Sequence, residues 1–334
     1  MKKILIISTG GTIASVKKEN GLAPGITSKE LLEFLNIEIK NIEIDTVDLL
    51  NIDSTDIRVE NWLLIAKKIE EKYDFYDGFV ITHGTDTLAY TAAALSYLIQ
   101  NSRKPIVITG AQKSISNEIT DAKLNLVDSI TYACDDRSNN VVIVFNGKVI
   151  AGTRGRKEKT KSYDAFSSLN FPNLAIVQES RVVRFIKYEE RAEKPVFYHE
   201  LNKSVYLLKL IPTIEGDILD YIFEKYDCII IESYGVGGIP KHIFDNFKKL
   251  SKKYSGSKVI IITTQVPMEG SDLMVYEVGQ RLKDELSIME SFDMTIEATV
   301  VKLMWAMSES KGNYKKLREL YNTEINYDTL YNMF

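Results

Sequence analysis

The chain has 334 residues, 45% apolar and 26% charged, with a formal net charge of −4. That composition fits a soluble globular protein of about two domains with enough apolar material for a large core. The slightly acidic balance, with its 42 basic residues dispersed along the chain, argues against nucleic acid or an anionic membrane as a partner. No stretch is long enough to span a bilayer.

Ile4-Leu5-Ile6-Ile7 reads as a fully buried strand. It runs into Ser8-Thr9-Gly10-Gly11-Thr12-Ile13-Ala14. Paired glycines let main-chain N–H groups approach a ligand closely, and a hydroxyl placed there can act as a nucleophile beside those groups. An ordinary strand-to-helix turn reads equally well. Met1-Lys2-Lys3 before this run is too short a pattern for a secretion signal. The polar segment 15–28 reads as a loop beside Thr12, either a lid or a plain surface connection.

Leu31, Leu32 and Leu35 mark a short helix, and Ile42–Val47 alternates as a strand does. Asp53-Ser54-Thr55-Asp56 precedes Trp62, Ile65, Ala66, Ile69 and Tyr73, which share one helix face. Phe79–Thr82 is a second buried strand, ending in His83-Gly84-Thr85-Asp86-Thr87. A helix over Leu88–Ile99 leads to the strand Ile106–Thr109, which closes in Gly110-Ala111-Gln112. Asp121–Ala133 reads as a helix and Val141–Phe145 as a strand, with Asn146-Gly147 a hairpin turn. Alternating strands and helices predict a parallel α/β sheet in which ligands bind at the carboxyl ends of the strands.

Residues 186–204 lack periodicity and are read as a linker between an N-terminal domain, 1–185, and a C-terminal domain, 205–334. The second domain holds strands at Val205–Leu210, Cys228–Ile231 and Val259–Thr263. Its helices fall near Ile218–Phe223, His242–Lys252, Thr295–Met307 and Tyr314–Tyr321. The expected fold is α/β, with a larger, mostly parallel N-terminal sheet flanked by helices and a smaller parallel C-terminal α/β domain.

The two cysteines, Cys134 and Cys228, suggest free thiols and a reducing compartment. No His, Cys and carboxylate cluster has metal-ligand spacing. Gly10-Gly11-Thr12 is not a phosphate loop, because no Gly-Lys-Ser/Thr follows. His83, at a strand end, reads as structural. Asp53 and Ser54 serve equally as helix caps or as substrate contacts, and Ala111-Gln112 equally as strand terminus or pocket lining. The basic run Arg154 to Lys161 reads by itself as a solvated loop.

Thr9-Gly10-Gly11-Thr12-Ile13-Ala14 and His83-Gly84-Thr85-Asp86-Thr87, in order and each after a strand, resemble the two signatures of the bacterial-type L-asparaginase family. Arg154-Gly155-Arg156-Lys157 before Tyr163-Asp164-Ala165-Phe166, Ser233-Tyr234-Gly235-Val236-Gly237, and Asp293-Met294-Thr295-Ile296-Glu297-Ala298 extend the resemblance to nearly the whole chain. It is nearest the cytoplasmic, type I branch. The resemblance implies hydrolysis of L-asparagine to L-aspartate and ammonia through an acyl-enzyme on Thr12. Thr85, Asp86 and Lys157 would complete the catalytic set. Asp53, Ser54, Thr85, Asp86 and Ala111 would contact substrate, and the Gly11 and Thr12 main chain would face the oxyanion. It further implies no cofactor, no metal, a cytoplasmic location, and a homodimer or a dimer of dimers (a homotetramer) with the active site at a domain and subunit boundary.

Three positions depart from the family pattern. Leu22 stands where many members carry a lid tyrosine. Gly238 replaces an asparagine after the Ser-Tyr-Gly-Val-Gly segment. Glu232 stands where some type I enzymes place an arginine for an allosteric asparagine site, so that site is not carried over. Two other functions compete. One is the amidase subunit of a tRNA-dependent amidotransferase, against which the early catalytic strand weighs. The other is a non-catalytic amino-acid-binding protein, for which a lysine relay is superfluous.

Overall fold

The computed structural model describes residues 1–18, 21–35, 42–187, 194–275 and 288–330, without the side chains of 16–18 and 21–24. The chain forms two compact units. One is Met1–His199 with Ile325–Tyr327; the other is Glu200–Glu324 with the chain from Asp328 onward. Residues 188–193 of the expected linker fall outside the described residues. Val196–Phe197, within the linker range, pairs with Ile99–Gln100 in the first unit.

In chain order the strands of the first unit are β1 (Lys2–Gly10), β2 (Ser15–Lys18), β3 (Gly21–Pro24), β4 (Ile42–Ile52), β5 (Gly78–Thr82), β6 (Ile99–Gln100) and β7 (Ile106–Thr109). They continue with β8 (Val141–Phe145), β9 (Lys148–Ala151), β10 (Gly155–Lys157), β11 (Phe166–Ser168), β12 (Ala175–Gln178), β13 (Arg181–Arg184) and β14 (Val196–Phe197). Eight of them make one sheet in the order β13-β12-β9-β8-β7-β5-β1-β4. The pairs from β4 through β1, β5 and β7 to β8 are parallel, and β9, β12 and β13 add an antiparallel edge.

The parallel part has the doubly wound order 2-1-3-4-5, whose switch point lies between β1 and β5. Its inner strands β1, β5, β7 and β8 are buried along almost their whole length, as the unbroken apolar runs require, while the edge strand β4 is only half-buried. Each fully buried Ile or Val, such as Ile4, Ile6, Val80 and Val107, stabilises by roughly 1.5–3 kcal/mol. Asn146 and Gly147 take φ of 50° and 73° between the antiparallel β8 and β9, the left-handed pair that a two-residue hairpin demands.

The segment read as a loop after Thr12 is instead a ribbon: β2 and β3 pair antiparallel from Ser15↔Pro24 to Lys18↔Gly21. Main-chain pairing holds it, so its polar composition gave no strand signal. The Leu22 side chain lies outside the described residues.

The second unit carries β15 (Val205–Lys209), β16 (Cys228–Ser233), β17 (Val259–Thr264) and β18 (Met289–Glu290) in one parallel sheet. Leu219, Ile222 and Phe223 of the helix Asp217–Lys225 pack with Ile243, Phe247 and Leu250 of the helix Lys241–Lys253 over it. Lys302, on the helix Ile296–Ser310, forms a fully buried ion pair of 2.7 Å with Asp328. The architecture is the expected one: two α/β domains, a larger mostly parallel sheet with helices and a smaller parallel one.

Candidate active site

The carboxyl ends of β1, β4, β5 and β7 deliver the loops that carry the expected residues other than Lys157. Thr12 opens a short 3-10 turn, Thr12–Ala14, capped by Gly11. Gly10 and Gly11 have φ of 102° and 83°, a region that a side chain enters only with strain. Space excludes a side chain as well. A Cβ on Gly11 would stand 2.4 Å from Gly84 Cα, one on Gly84 would stand 2.5 Å from Ser54 Oγ, and one on Gly10 would stand 2.5 Å from Ile52 O. The loops after β1 and β5 therefore meet backbone to backbone, the Ser54 side chain of the loop after β4 rests on Gly84, and glycine is what permits both.

Ser54 is buried and ties two of these loops together. Its Oγ accepts from Asp86 N–H at 3.3 Å, and its carbonyl accepts from the Thr87 hydroxyl at 2.7 Å. Asp53 caps the 3-10 turn Ser54–Asp56, accepting from Thr55 N–H at 2.8 Å. That bond holds its carboxyl below the usual carboxylate range. Ala111 is fully buried in the main core cluster.

Lys157, at the end of β10, reaches across 72 residues of sequence. Its Nζ donates to Thr85 Oγ1 at 2.7 Å and to Asp86 Oδ1 at 2.7 Å. The Thr85 hydroxyl donates in turn to Gln112 Oε1 at 3.3 Å. Thr85 and Lys157 are largely shielded, whereas the Asp86 side chain is 58% exposed. The charged pair thus stands at the rim with the hydroxyl beneath it. Thr12 is half-buried, and its hydroxyl has no protein partner among the described residues. The Gly11 N–H donates to Ile52 O at 3.2 Å.

The basic run separates by environment. Arg154 is fully buried, Lys157 sits on Thr85 and Asp86, and Lys159 pairs with Asp164 at 3.0 Å. Asp164 also holds Lys148 at 2.5 Å, and the two lysines lower its pKa to about 2.

His83 is structural, as expected. It is fully buried, and desolvation lowers its pKa to about 4. Its Nδ1 stands 2.7 Å from the Gly84 carbonyl, which can only accept, so the proton is on Nδ1. Nε2 then accepts from the Thr91 hydroxyl at 2.9 Å, which accepts from Trp62 Nε1 at 3.0 Å. This chain fixes the peptide just before Thr85.

Two further side chains shape the site. Gln112 Nε2 donates to the carbonyls of Lys159 and Ser162 at 3.2 and 3.1 Å, holding the loop beyond Lys157 beside Thr85. Asp121 accepts from the N–H groups of Gln112 and Lys113 at 2.8 and 3.0 Å. Asp121 was legible only as a helix start; its backward reach to the turn after β7 has no local signature. A cavity of about 800 Å³ lined by Leu5, Lys29, Asp45, Lys68, Lys72 and Tyr76 includes none of these residues.

In the second unit Glu232 accepts from Lys209 Nζ at 3.2 Å. Gly238 exchanges hydrogen bonds with Tyr234 in a tight loop, where a Cβ would stand 3.2 Å from Tyr234 O. The departure at Gly238 thus suits the close turn. Among the described residues no group of His, Cys, Asp and Glu is arranged to hold a metal ion, and no helix is long and apolar enough to cross a membrane. Cys134 and Cys228 are free thiols.

Two glycine-bordered threonines thus stand at the switch point of a doubly wound sheet, and one of them is bonded to Lys157, which also pairs with Asp86. Residues 3–190 match the family described as Asparaginase, N-terminal, and residues 204–321 match the Glutaminase/Asparaginase C-terminal domain. The chain belongs to the asparaginase family. It is 36% identical to the L-asparaginase of Thermococcus kodakarensis over 97% of this chain and 98% of that protein. The solved structure of the thermostable L-asparaginase from that organism superposes with a TM-score of 0.90 over 98% of each chain. L-asparaginase I from Vibrio cholerae, 26% identical, superposes with a TM-score of 0.85 over 98% of this chain and 99% of that one. One component of the glutamyl-tRNA(Gln) amidotransferase of Pyrococcus abyssi is 31% identical over 97% of this chain and 76% of its own length.

Proposed function

We propose that this protein hydrolyses L-asparagine to L-aspartate and ammonia through an acyl-enzyme on Thr12. The observation that carries the reading is Lys157 Nζ at 2.7 Å from both Thr85 Oγ1 and Asp86 Oδ1, on the loop pressed against Gly11. Binding alone needs no such hydroxyl–lysine–carboxylate cluster; activating a weakly acidic threonine does.

In this mechanism the Thr12 oxygen attacks the side-chain amide carbon as its proton passes to Thr85 Oγ1 and the Thr85 hydroxyl, polarised by Lys157 and Asp86, hands its own proton on to the amide nitrogen. The C–N bond then breaks and ammonia leaves. Water then adds to the ester, and aspartate departs. The Gly11–Thr12 turn surrounds the oxyanion. Since the Gly11 N–H is held by Ile52 O, the donor there is the Thr12 N–H. The second oxygen of Asp86 takes the substrate ammonium. Ser54, on the turn capped by Asp53, takes the α-carboxylate. Ala111, its methyl group buried, contributes main-chain atoms only. The reaction needs no cofactor, the free thiols suit a cytoplasmic enzyme, and the working form is a homo-oligomer, a dimer or a dimer of dimers.

The experiment is ammonia release from L-asparagine and L-glutamine, with mass spectrometry of the Thr12 peptide after acid quench. An aspartyl adduct on Thr12 supports the acyl-enzyme, and full turnover without any adduct, retained in Thr12→Ala, contradicts it. A second reading draws on the 31% identity to the amidotransferase component: the same amide chemistry would supply ammonia to a partner protein. It predicts a copurifying partner that stimulates ammonia release, and a fully active homo-oligomer by itself rejects it.

A further inference from the structure

Near its end the chain places Ile325–Tyr327 in the first unit, far in sequence from everything those residues touch there. Asn326 is nearly buried, and its Nδ2 donates to Ser96 Oγ at 3.0 Å and to the Val141 carbonyl at 2.9 Å. Val141 O also accepts from Gly152 N–H at 3.0 Å, so Asn326 is fastened at the start of the turn that leads to β10. The Thr153 hydroxyl donates to the Asn326 carbonyl at 2.7 Å, and Arg154 Nε donates to the Tyr327 carbonyl. The Tyr327 ring stacks on Phe171 at 5.1 Å, and the Arg154 guanidinium lies 5.4 Å from the centre of the same Phe171 ring.

Asn326 and Tyr327 both have positive φ, 52° and 64°. Asparagine tolerates that region, but a tyrosine there is strained and persists only where its surroundings over-determine it. These contacts therefore act as a clamp, and what they clamp is the pair Thr153–Arg154. Gly155 follows at once, the first residue of the strand that ends in Lys157. Among the described residues that strand pairs with β11 alone, through Gly155↔Ser168, Arg156↔Ser167 and Lys157↔Phe166. Its root is held by Arg154, whose carbonyl accepts from Leu169 N–H at 2.8 Å.

We propose that Asn326 and Tyr327 form a positioning element for Lys157: they lock the Thr153–Arg154 turn whose placement sets where β10 delivers the lysine Nζ. The inference rests on the amidohydrolase reading given above. It adds that the extreme C-terminal part of the chain tunes a catalytic group it does not touch.

The test is Asn326→Gly, which keeps the left-handed backbone but removes both side-chain donors. The kcat for L-asparagine falls about 10- to 100-fold, as expected when a reacting group is misplaced by about 1 Å, while KM changes less. In a Lys157→Met background the same substitution causes no further loss, because the clamp acts through the lysine. Unchanged kcat in a folded Asn326→Gly protein overturns the proposal, and so does an equal fold-loss in the Lys157→Met background, which is general damage. Should Asn326→Gly not fold, Thr153→Val, which removes one clamp bond with little change of shape, is read in the same way. If the wild type itself releases no ammonia, the functional reading fails, and the clamp is judged by a crystal structure of the variant. Lys157 Nζ displaced from Thr85 Oγ1 supports it, and an unmoved lysine refutes it.

Discussion

Gly84→Ala is the sharpest single test of how the site is assembled. The new methyl group would lie 2.5 Å from Ser54 Oγ, 2.7 Å from Ser54 Cβ and 3.3 Å from Gly11 Cα. Ordinary carbon contacts need about 3.5–4.0 Å, so one loop must retreat by about 1 Å. Ser54 is buried and holds Asp86 N–H and the Thr87 hydroxyl, which leaves it little room to yield, and the loop carrying Thr85 and Asp86 moves instead. Overpacking of this kind costs about 1–3 kcal/mol. A shift of about 1 Å between Thr12 and Thr85 costs about 100-fold in turnover. The assay is kcat/KM for ammonia release together with thermal unfolding. Gly84→Ala should lose both, and in the Ser54→Gly background, where the struck atoms are gone, the stability loss should shrink. A Gly84→Ala enzyme with wild-type stability and turnover would refute the close packing of Ser54 on Gly84 as what places this loop.

Other consequences are equally measurable. His83 has its pKa lowered to about 4 from 6.5 by burial, so the folded state binds fewer protons than the unfolded one between those values. Stability is complete above about pH 6.5 and falls as the pH drops toward 4, by about 3 kcal/mol from this residue; thermal midpoints across that range should show it, and His83→Gln should flatten the slope. Lys302→Met leaves Asp328 buried without its 2.7 Å partner and should cost about 3–5 kcal/mol by denaturant unfolding. Lys157→Met should lower kcat about 100- to 10,000-fold while leaving the fold intact by circular dichroism, the size of a lost proton-relay group.

The parallel framework was legible because each buried strand is an unbroken apolar run, as at Ile4–Ile7 and Phe79–Thr82, and because glycine-bordered threonines end two of them. His83 was rightly read as structural, although its partners Thr91 and Trp62 are visible only in space. The β2–β3 ribbon was missed since its pairing is main-chain and its two four-residue strands, Ser-Val-Lys-Lys and Gly-Leu-Ala-Pro, are too short and mixed to show a period. The strands β10 to β13 are too short or too charged to show a period; Arg181–Arg184, for example, sets two valines between two arginines. Most of what sets Lys157 was invisible for a different reason. Its bond to Thr85 spans 72 residues and the Thr153–Asn326 bond spans 173, and no local pattern encodes contacts of that range.

Ammonia release from L-asparagine by the wild type and by Thr12→Ala tests the proposed mechanism most directly. Strong turnover by the wild type and its near-complete loss in a variant that still folds are expected, since the proposed mechanism makes the Thr12 hydroxyl the attacking group. Turnover retained by folded Thr12→Ala would remove the nucleophile from the mechanism and contradict the central claim.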